Sequence, residues 1–247
     1  MKWTDRGIIL SQRVSSEHSS IVTVFTREHG KHNGLIRLGS KSQNPQSSQQ
    51  PGTIAEVTWN ARLSEHLGNW KLDPLESLWI KIFKKPLSLA ALSSACALLD
   101  KSLPERHPYS ELYEYFEDFL HTLIRCGDHW QKDYIFFELK LLSVLGFGLD
   151  LRACAVTQST DDLAYVSPKT GRAVCKSVGD PYKDRLFLLP NFLVNPNASC
   201  GPEELQKAYI LTEYFLRQHL FDGKDLPLIR RRLVQSTVPM PDDFPFF

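Results

Sequence analysis

The chain has 247 residues, 42% hydrophobic and 11% aromatic, enough to build a core as one large or two modest domains. Its net charge of +1 excludes a uniformly charged polyelectrolyte, yet residues 1–72 hold nine Lys/Arg against five Asp/Glu, and the remainder twenty against twenty-three. A basic front on a nearly neutral chain points to a local polyanion-binding face, with ordinary scatter of surface charge as the competing reading.

Residues 1–75 read as short strands. Gly7 to Ser11 is an apolar run, and Ile21 to Thr26 has strong β character. Glu28, His29 and Gly30 form a turn before a third strand, Gly34 to Leu38. Ser40 to Gly52, SKSQNPQSSQQPG, is polar and proline-bearing, and is expected as a loop. Ile54 to Leu63 alternates, with Ile54, Glu56, Thr58 and Asn60 on one face and Ala55, Val57, Trp59 and Ala61 on the other. Trp70 and Leu72 suggest a fifth strand. Five short strands with glycine turns fit a small closed barrel of the OB type, and another small β-barrel fits as well.

From Pro74 the pattern is helical. Leu75 to Phe83, Leu87 to Leu103, Tyr109 to Cys126 and Asp133 to Leu145 carry apolar residues at three-and-four spacing, punctuated by Pro74, Pro86, Pro104 and Pro108. In Tyr134 to Cys154, YIFFELKLLSVLGFGLDLRAC, Gly146 and Gly148 end the helix, because glycine takes the left-handed conformation without a Cβ penalty. Ala153 to Asn197 is irregular, with one β pair, Leu163 to Val166 and Ala173 to Cys175, joined by SPKTGR. Helices follow at Pro202 to Leu220 and Leu226 to Val234, and Val238 to Phe247 is a proline-broken tail. The expected fold class is α+β: an OB barrel over 1–75, then a mainly helical domain over 76–238 with an insertion at 153–197, then an acidic-apolar tail at 239–247.

No stretch of about 18 apolar residues exists, so no membrane span is expected. MKWTDRGIIL lacks a signal-peptide core. Five scattered cysteines read as buried thiols in a reducing compartment, and the expected location is the cytoplasm.

Common catalytic signatures are missing. There is no G-x-x-x-x-G-K-[ST], G-x-S-x-G or H-E-x-x-H, and Gly146-Phe147-Gly148 follows a helix rather than a strand, unlike a dinucleotide fingerprint. Asp161-Asp162 and Asp242-Asp243 are adjacent carboxylates in loops. They read as solvated turn residues, with a metal-dependent nuclease as the competing enzyme class. His29-x-x-His32 lacks further ligands nearby and reads as surface or backbone-contacting.

Nucleic-acid binding has better material. Arg6, Arg13, Arg27, Lys31, His32, Arg37 and Lys41 fall in or beside the first three strands and the polar loop, with Trp3, Phe25 and Trp59 among them. Basic side chains supply phosphate contacts and aromatics can stack on bases. Phe25 and Trp59 read better as core residues, and the basic set reads better as a binding face. A structured-RNA module is the further alternative, distinguished by preference for RNA over DNA.

The pattern T-D-R-G-I-I-L-S-x-R, then S-S-I-V-T-V-F-T-R-E-H-G, then Leu38-Gly39 and a polar loop reaching Gln50-Pro51, is similar to the barrel of the bacterial recombination mediator family RecO. The helix F-E-L-x-L-L-x-x-L-G-F-G-L-D-L with Cys154 close behind resembles that family's helical domain. The resemblance implies an OB-fold and a helical domain without enzymatic activity or cofactor. It implies binding to single- and double-stranded DNA, annealing of complementary strands and help in loading RecA. It also implies RecR and the single-strand-binding protein SSB as partners, and a bacterial, nucleoid-associated location. The SSB-tail pocket would lie near the central helix, at Phe136, Leu139 and Lys140. Some relatives carry a C-x-x-C…C-x-x-C zinc site. Here the two halves read Cys154-Ala-Val-Thr157 and Cys175-Lys-Ser-Val178, so the expectation is no zinc and a lobe held by Leu163, Tyr165 and Val174. The tail PMPDDFPFF resembles the acidic-aromatic SSB tail, which suggests self-competition for that pocket.

Overall fold

The structure is a computed structural model that describes residues 1–37, 49–63, 66–125, 129–195 and 197–239. Two compact units are present, Met1–Trp130 and Gln131–Phe247. Lys41, Cys126 and the tail beyond Pro239, with Asp242 and Asp243, lie outside the described residues.

Five strands open the first unit: β1 (Lys2–Ser16), β2 (Ser19–Thr26), β3 (Gly30–Arg37), β4 (Thr53–Asn60) and β5 (Gly68–Ser77). They close a ring in the order β1-β2-β3-β5-β4. The long β1 serves two neighbours, pairing through Lys2–Ile8 with β4 and through Gly7–Ser16 with β2, with a register shift between Ile9 and Ser11. The closing β3–β5 contact is parallel and joins Gly34 to Gly68 and Leu35 to Asn69. Ile9, Val22, Val24, Ala55, Val57, Trp59, Ala61 and Trp70 pack together inside. The alternation read in Ile54 to Leu63 is therefore the pleat of β4, with its Ala, Val and Trp side facing inward. The two indoles explain the glycines at the seam. A Cβ on Gly34 would lie 2.6 Å from the Trp70 ring, and one on Gly68 would lie 2.2 Å from Trp59. Each indole N–H donates to a backbone carbonyl, Trp59 to Asn33 at 3.1 Å and Trp70 to Val22 at 3.0 Å.

Helices α1 (Leu78–Ile82), α2 (Pro86–Ser102) and α3 (Ser110–Arg125) belong to the same unit. Leu75 to Ser77 is strand, not the start of a helix as the spacing suggests, because β5 stays paired with β4 as far as Thr53–Ser77. Pro74 is tolerated beside the irregularity at Ile54–Ala55. Ile8, Leu10 and Phe25 on the barrel's outer face are buried beneath the helices. Phe25 meets Tyr113 of α3 edge-on at 5.5 Å.

The second unit contains α4 (Gln131–Val144), β6 (Leu163–Val166), β7 (Ala173–Cys175), a single turn α5 (Lys176–Gly179), β8 (Phe187–Leu188), α6 (Pro202–Leu220) and α7 (Leu228–Thr237). Gly146, at φ +91, ends α4. Its N–H donates to Ser143 at 3.1 Å and that of Phe147 to Leu142 at 2.8 Å, a Schellman closure. The expected β pair forms at the expected residues, and β8 adds a third strand in the order β7-β6-β8. No described helix is long and apolar enough to cross a membrane.

A buried ionic group joins α4, α6 and α7. Arg230 donates from Nε to Glu138 at 2.9 Å and from Nη2 to Glu138 at 3.1 Å and to Thr212 at 3.0 Å. Arg230 also pairs with Glu213, and Thr212 donates to Glu138. All four residues are at most 2% exposed. Burial raises the Glu213 pKa despite the nearby guanidinium, while the two carboxylates hold Arg230 firmly charged against its own desolvation.

Candidate nucleic-acid interface

The barrel sorts its basic residues into two groups. Arg6 and Arg27 point toward α3, where Arg6 pairs with Glu117 and Arg27 with Glu114. Lys31 donates its Nζ to the carbonyl of Asp100 in the last turn of α2, and burial lowers its pKa. His32 lies inside the barrel, not on the surface as its place in a hairpin suggests. Its neighbour in register is the core residue Val24, and its ring meets Trp3 at 5.0 Å and Trp59 at 5.4 Å. Burial pulls its pKa from 6.5 down to about 4. His29 stacks on Trp3 at 4.0 Å and contacts Asp5 at 3.0 Å.

Arg13 and Arg37 are exposed. Arg13 is opposite Ile21, Ile21 is opposite Leu35, and Arg37 follows two residues later, so all four share the outer face of β1-β2-β3. Between this edge and the helix-covered side runs a polar ladder. Ser11 bonds Thr23 at 3.1 Å, Thr23 bonds Asn33 at 2.7 Å, and Asn33 bonds Glu105. The β4–β5 connection follows Asn60, which pairs with Lys2 at the start of β1, and carries exposed Arg62. A groove of about 480 Å³ opens at the β3–β5 seam, lined by Leu35, Ile36, Arg37, Asn60, Asn69 and Trp70. Leu63, in the β4–β5 connection, is 47% exposed. Arg13, Arg37 and Arg62 have no ion-pair partner among the described residues.

Sequence reasoning passed over Arg62 because it stands outside the basic cluster at the front. The signal for it is topological: the β1–β2 and β4–β5 loops flank the ligand face of an OB barrel. Trp59 and Phe25 are core residues, as read.

The second unit carries the other expected surface. Phe136, Leu139 and Lys140 are half-buried on one stripe of α4. Phe136 meets Phe192 edge-on at 6.0 Å, and Lys132, one turn earlier, sits 5.8 Å from the same ring. The lobe after α4 is packed by Cys154, Tyr165, Val174 and Cys175, with Leu163 against them. Its two thiols adjoin: the Cys175 N–H donates to the Cys154 sulfur at 3.3 Å, and Thr157 lies 3.7 Å from the Cys175 sulfur. Although burial opposes it, hydrogen bonds from Thr157, Cys175 and Val156 hold the Cys154 pKa below its ordinary value. Two sulfurs do not fit the closed four-ligand zinc site. Among the described residues no group of three His, Cys, Asp or Glu is placed to hold a metal, and Asp161 and Asp162 stand in an exposed turn.

A closed five-stranded ring of OB type, joined to a helical unit with a small sheet, defines the class of OB-barrel protein. The profile described as "Recombination protein O N terminal" matches residues 1–77, and "Recombination protein O C terminal" matches 84–226. The chain is 42% identical to DNA repair protein RecO of Cereibacter sphaeroides, over 95% of this chain and 98% of that one. It is 43% identical to DNA repair protein RecO of Rhodospirillum centenum (95% and 94%), and 40% identical to that of Sinorhizobium medicae (96% and 95%). The chain belongs to the RecO family of DNA-repair and recombination proteins.

Proposed function

We propose that this protein is a recombination mediator that binds single- and double-stranded DNA, anneals complementary strands and, with RecR, helps load RecA onto SSB-coated DNA. The observation that carries this reading is the strip of Arg13, Arg37 and Arg62 beside the seam groove, in a chain that matches its relatives almost end to end. The mechanism is electrostatic. Guanidinium groups displace the counterions of the phosphate backbone and lower the repulsion between two strands, and Leu35 and Leu63 offer apolar surface to unpaired bases. The reading assigns no bond-making step and no cofactor. On α4, Phe136 and Leu139 with Lys140 supply the apolar and cationic chemistry that an acidic-aromatic SSB tail requires. The protein then works in the bacterial cytoplasm at the nucleoid.

Binding of a fluorescent oligonucleotide across a salt series, with annealing followed in parallel, tests the barrel. Replacing Arg13, Arg37 and Arg62 together by alanine should flatten the log–log salt slope by about 2 and weaken binding roughly a hundredfold at 0.1 M salt. Annealing should slow with it. An unchanged slope would reject the strip as the DNA face.

A further inference from the structure

The exit of α4 builds a pocket that this reading leaves unused. Phe147 is the residue after the Schellman glycine, a place whose side chain ordinarily packs back on its own helix. Here the ring stacks on His219 of α6 instead, with centroids 4.6 Å apart and planes 14° from parallel. His219 is in turn stacked on Phe215 at 5.9 Å. The end member of this column, Phe147, is 40% exposed.

Across from it stands the β6–β7 hairpin, whose tip carries exposed Lys169. The hairpin is braced internally by Gly171 N–H to Ser167 at 2.9 Å and Ser167 N–H to Arg172 at 3.0 Å. It is tied to the chain leaving α4 by Asp150 N–H to Gly171 at 3.1 Å and Ala173 N–H to Asp150 at 3.0 Å. These bonds tie the hairpin to the exit of α4, and Lys169 and Phe147 line one cavity of about 200 Å³ between them. Gly146, Gly148 and Gly171 contribute backbone without side chains, so a flat group can approach closely. The lining contains no carboxylate. The nearby Asp150 is engaged by Arg152 at 3.1 Å and Arg172 at 3.6 Å.

We infer that this pocket is a base-stacking subsite for single-stranded nucleic acid, with one unpaired base against Phe147 and its phosphate at Lys169. The inference rests on the nucleic-acid reading above and adds a contact in the second unit. A ring with a backing stack, a cation carried on a braced hairpin and a carboxylate-free wall match the two chemistries of a nucleotide, its π-face and its anion. Its space suits one ring rather than a run of chain. With one strand on the barrel and a base of another held here, two strands share one molecule, and their encounter becomes effectively intramolecular.

The full-length chain is photocross-linked to an oligonucleotide carrying 5-iodouracil, and the attachment points are mapped by mass spectrometry. The expected result is a cross-link on Phe147 in addition to the barrel. It should be lost in Phe147→Leu and reduced at least about fivefold in Lys169→Glu. Both variants should anneal strands roughly five- to tenfold more slowly with unchanged thermal unfolding, and the salt slope should stay the same in Phe147→Leu but flatten by about 1 in Lys169→Glu. Cross-links confined to the barrel, or annealing unaffected by both variants, would overturn the subsite and leave the barrel reading intact. Failure of the chain to bind DNA at any salt would overturn both. A phenylalanine-terminated acidic peptide that occupies the pocket and is not displaced by oligonucleotide would also overturn it.

Discussion

The helix-covered side of the barrel and its open rim carry the same residue types to different ends. Arg6 and Arg27 meet Glu117 and Glu114 of α3, and Lys31 closes the end of α2. Arg13, Arg37 and Arg62 meet no carboxylate among the described residues. The contrast teaches that a basic residue becomes available to a phosphate through what the neighbouring element lacks. α3 supplies acids to one side, while the β1–β2 and β4–β5 loops leave the other exposed. Arg230 is the far end of the same scale, a guanidinium enclosed by Glu138, Glu213 and Thr212 and removed from any partner outside the chain.

The largest effect should come from breaking that extreme. Arg230→Met would leave two buried carboxylates without their cation, and losses of this kind run to about 3–5 kcal/mol. Urea unfolding should show it as a shifted midpoint. DNA binding by the folded fraction should stay close to the parent's, because Arg230 is 1% exposed. A loss below about 1 kcal/mol would mean that water or relaxation reaches the group.

His32 sharpens the comparison between the inside of the barrel and its surface. Its folded pKa of about 4 lies below the ordinary 6.5, so between those values the unfolded chain takes up a proton that the folded chain refuses. Stability is therefore full above pH 6.5 and falls as the pH drops through this window toward 4. The shift corresponds to at most about 3 kcal/mol, and about 1–2 kcal/mol is expected. His32→Leu should flatten this part of the profile in urea titrations at pH 7, 5.5 and 4.5. Parallel profiles for the two proteins would show that His32 does not carry the dependence.

What could be read in advance follows from how local the cause is. The β4 alternation and the glycine stop of α4 depend on neighbours in sequence, and both elements form where their residues indicate. The β6–β7 pair announces itself through SPKTGR in the same way. The destination of a charge depends on residues far along the chain. Arg230, Arg231 and Arg232 follow one another on the expected last helix with nothing local to tell them apart, and only the meeting of α4, α6 and α7 buries the first of them against Glu138, 92 residues away. His32 is similar: β pairing turns it inward, while nothing in His29-x-x-His32 distinguishes inside from outside. Leu75 to Ser77 has a helical spacing that the ladder to Thr53 overrides. Arg13 and Arg37 were legible as candidates, but Arg62 required the barrel's topology.

The smallest effect tests whether neutralisation separates the two sides. Glu114→Gln with Glu117→Gln would release Arg27 and Arg6 without removing any cation. Such exposed pairs contribute little to stability, so the unfolding midpoint should hardly move. If the bound strand passes near α3, single-stranded DNA affinity should rise a few-fold at low salt and the slope should steepen by about 1. The converse variant, Arg6→Ala with Arg27→Ala, should weaken binding by less than about threefold, since those cations are already spoken for. An unchanged slope in the glutamine variant would place the strand's path on the rim alone. The division of the barrel would then be one of position, with α3's acids serving only to hold the helix in place.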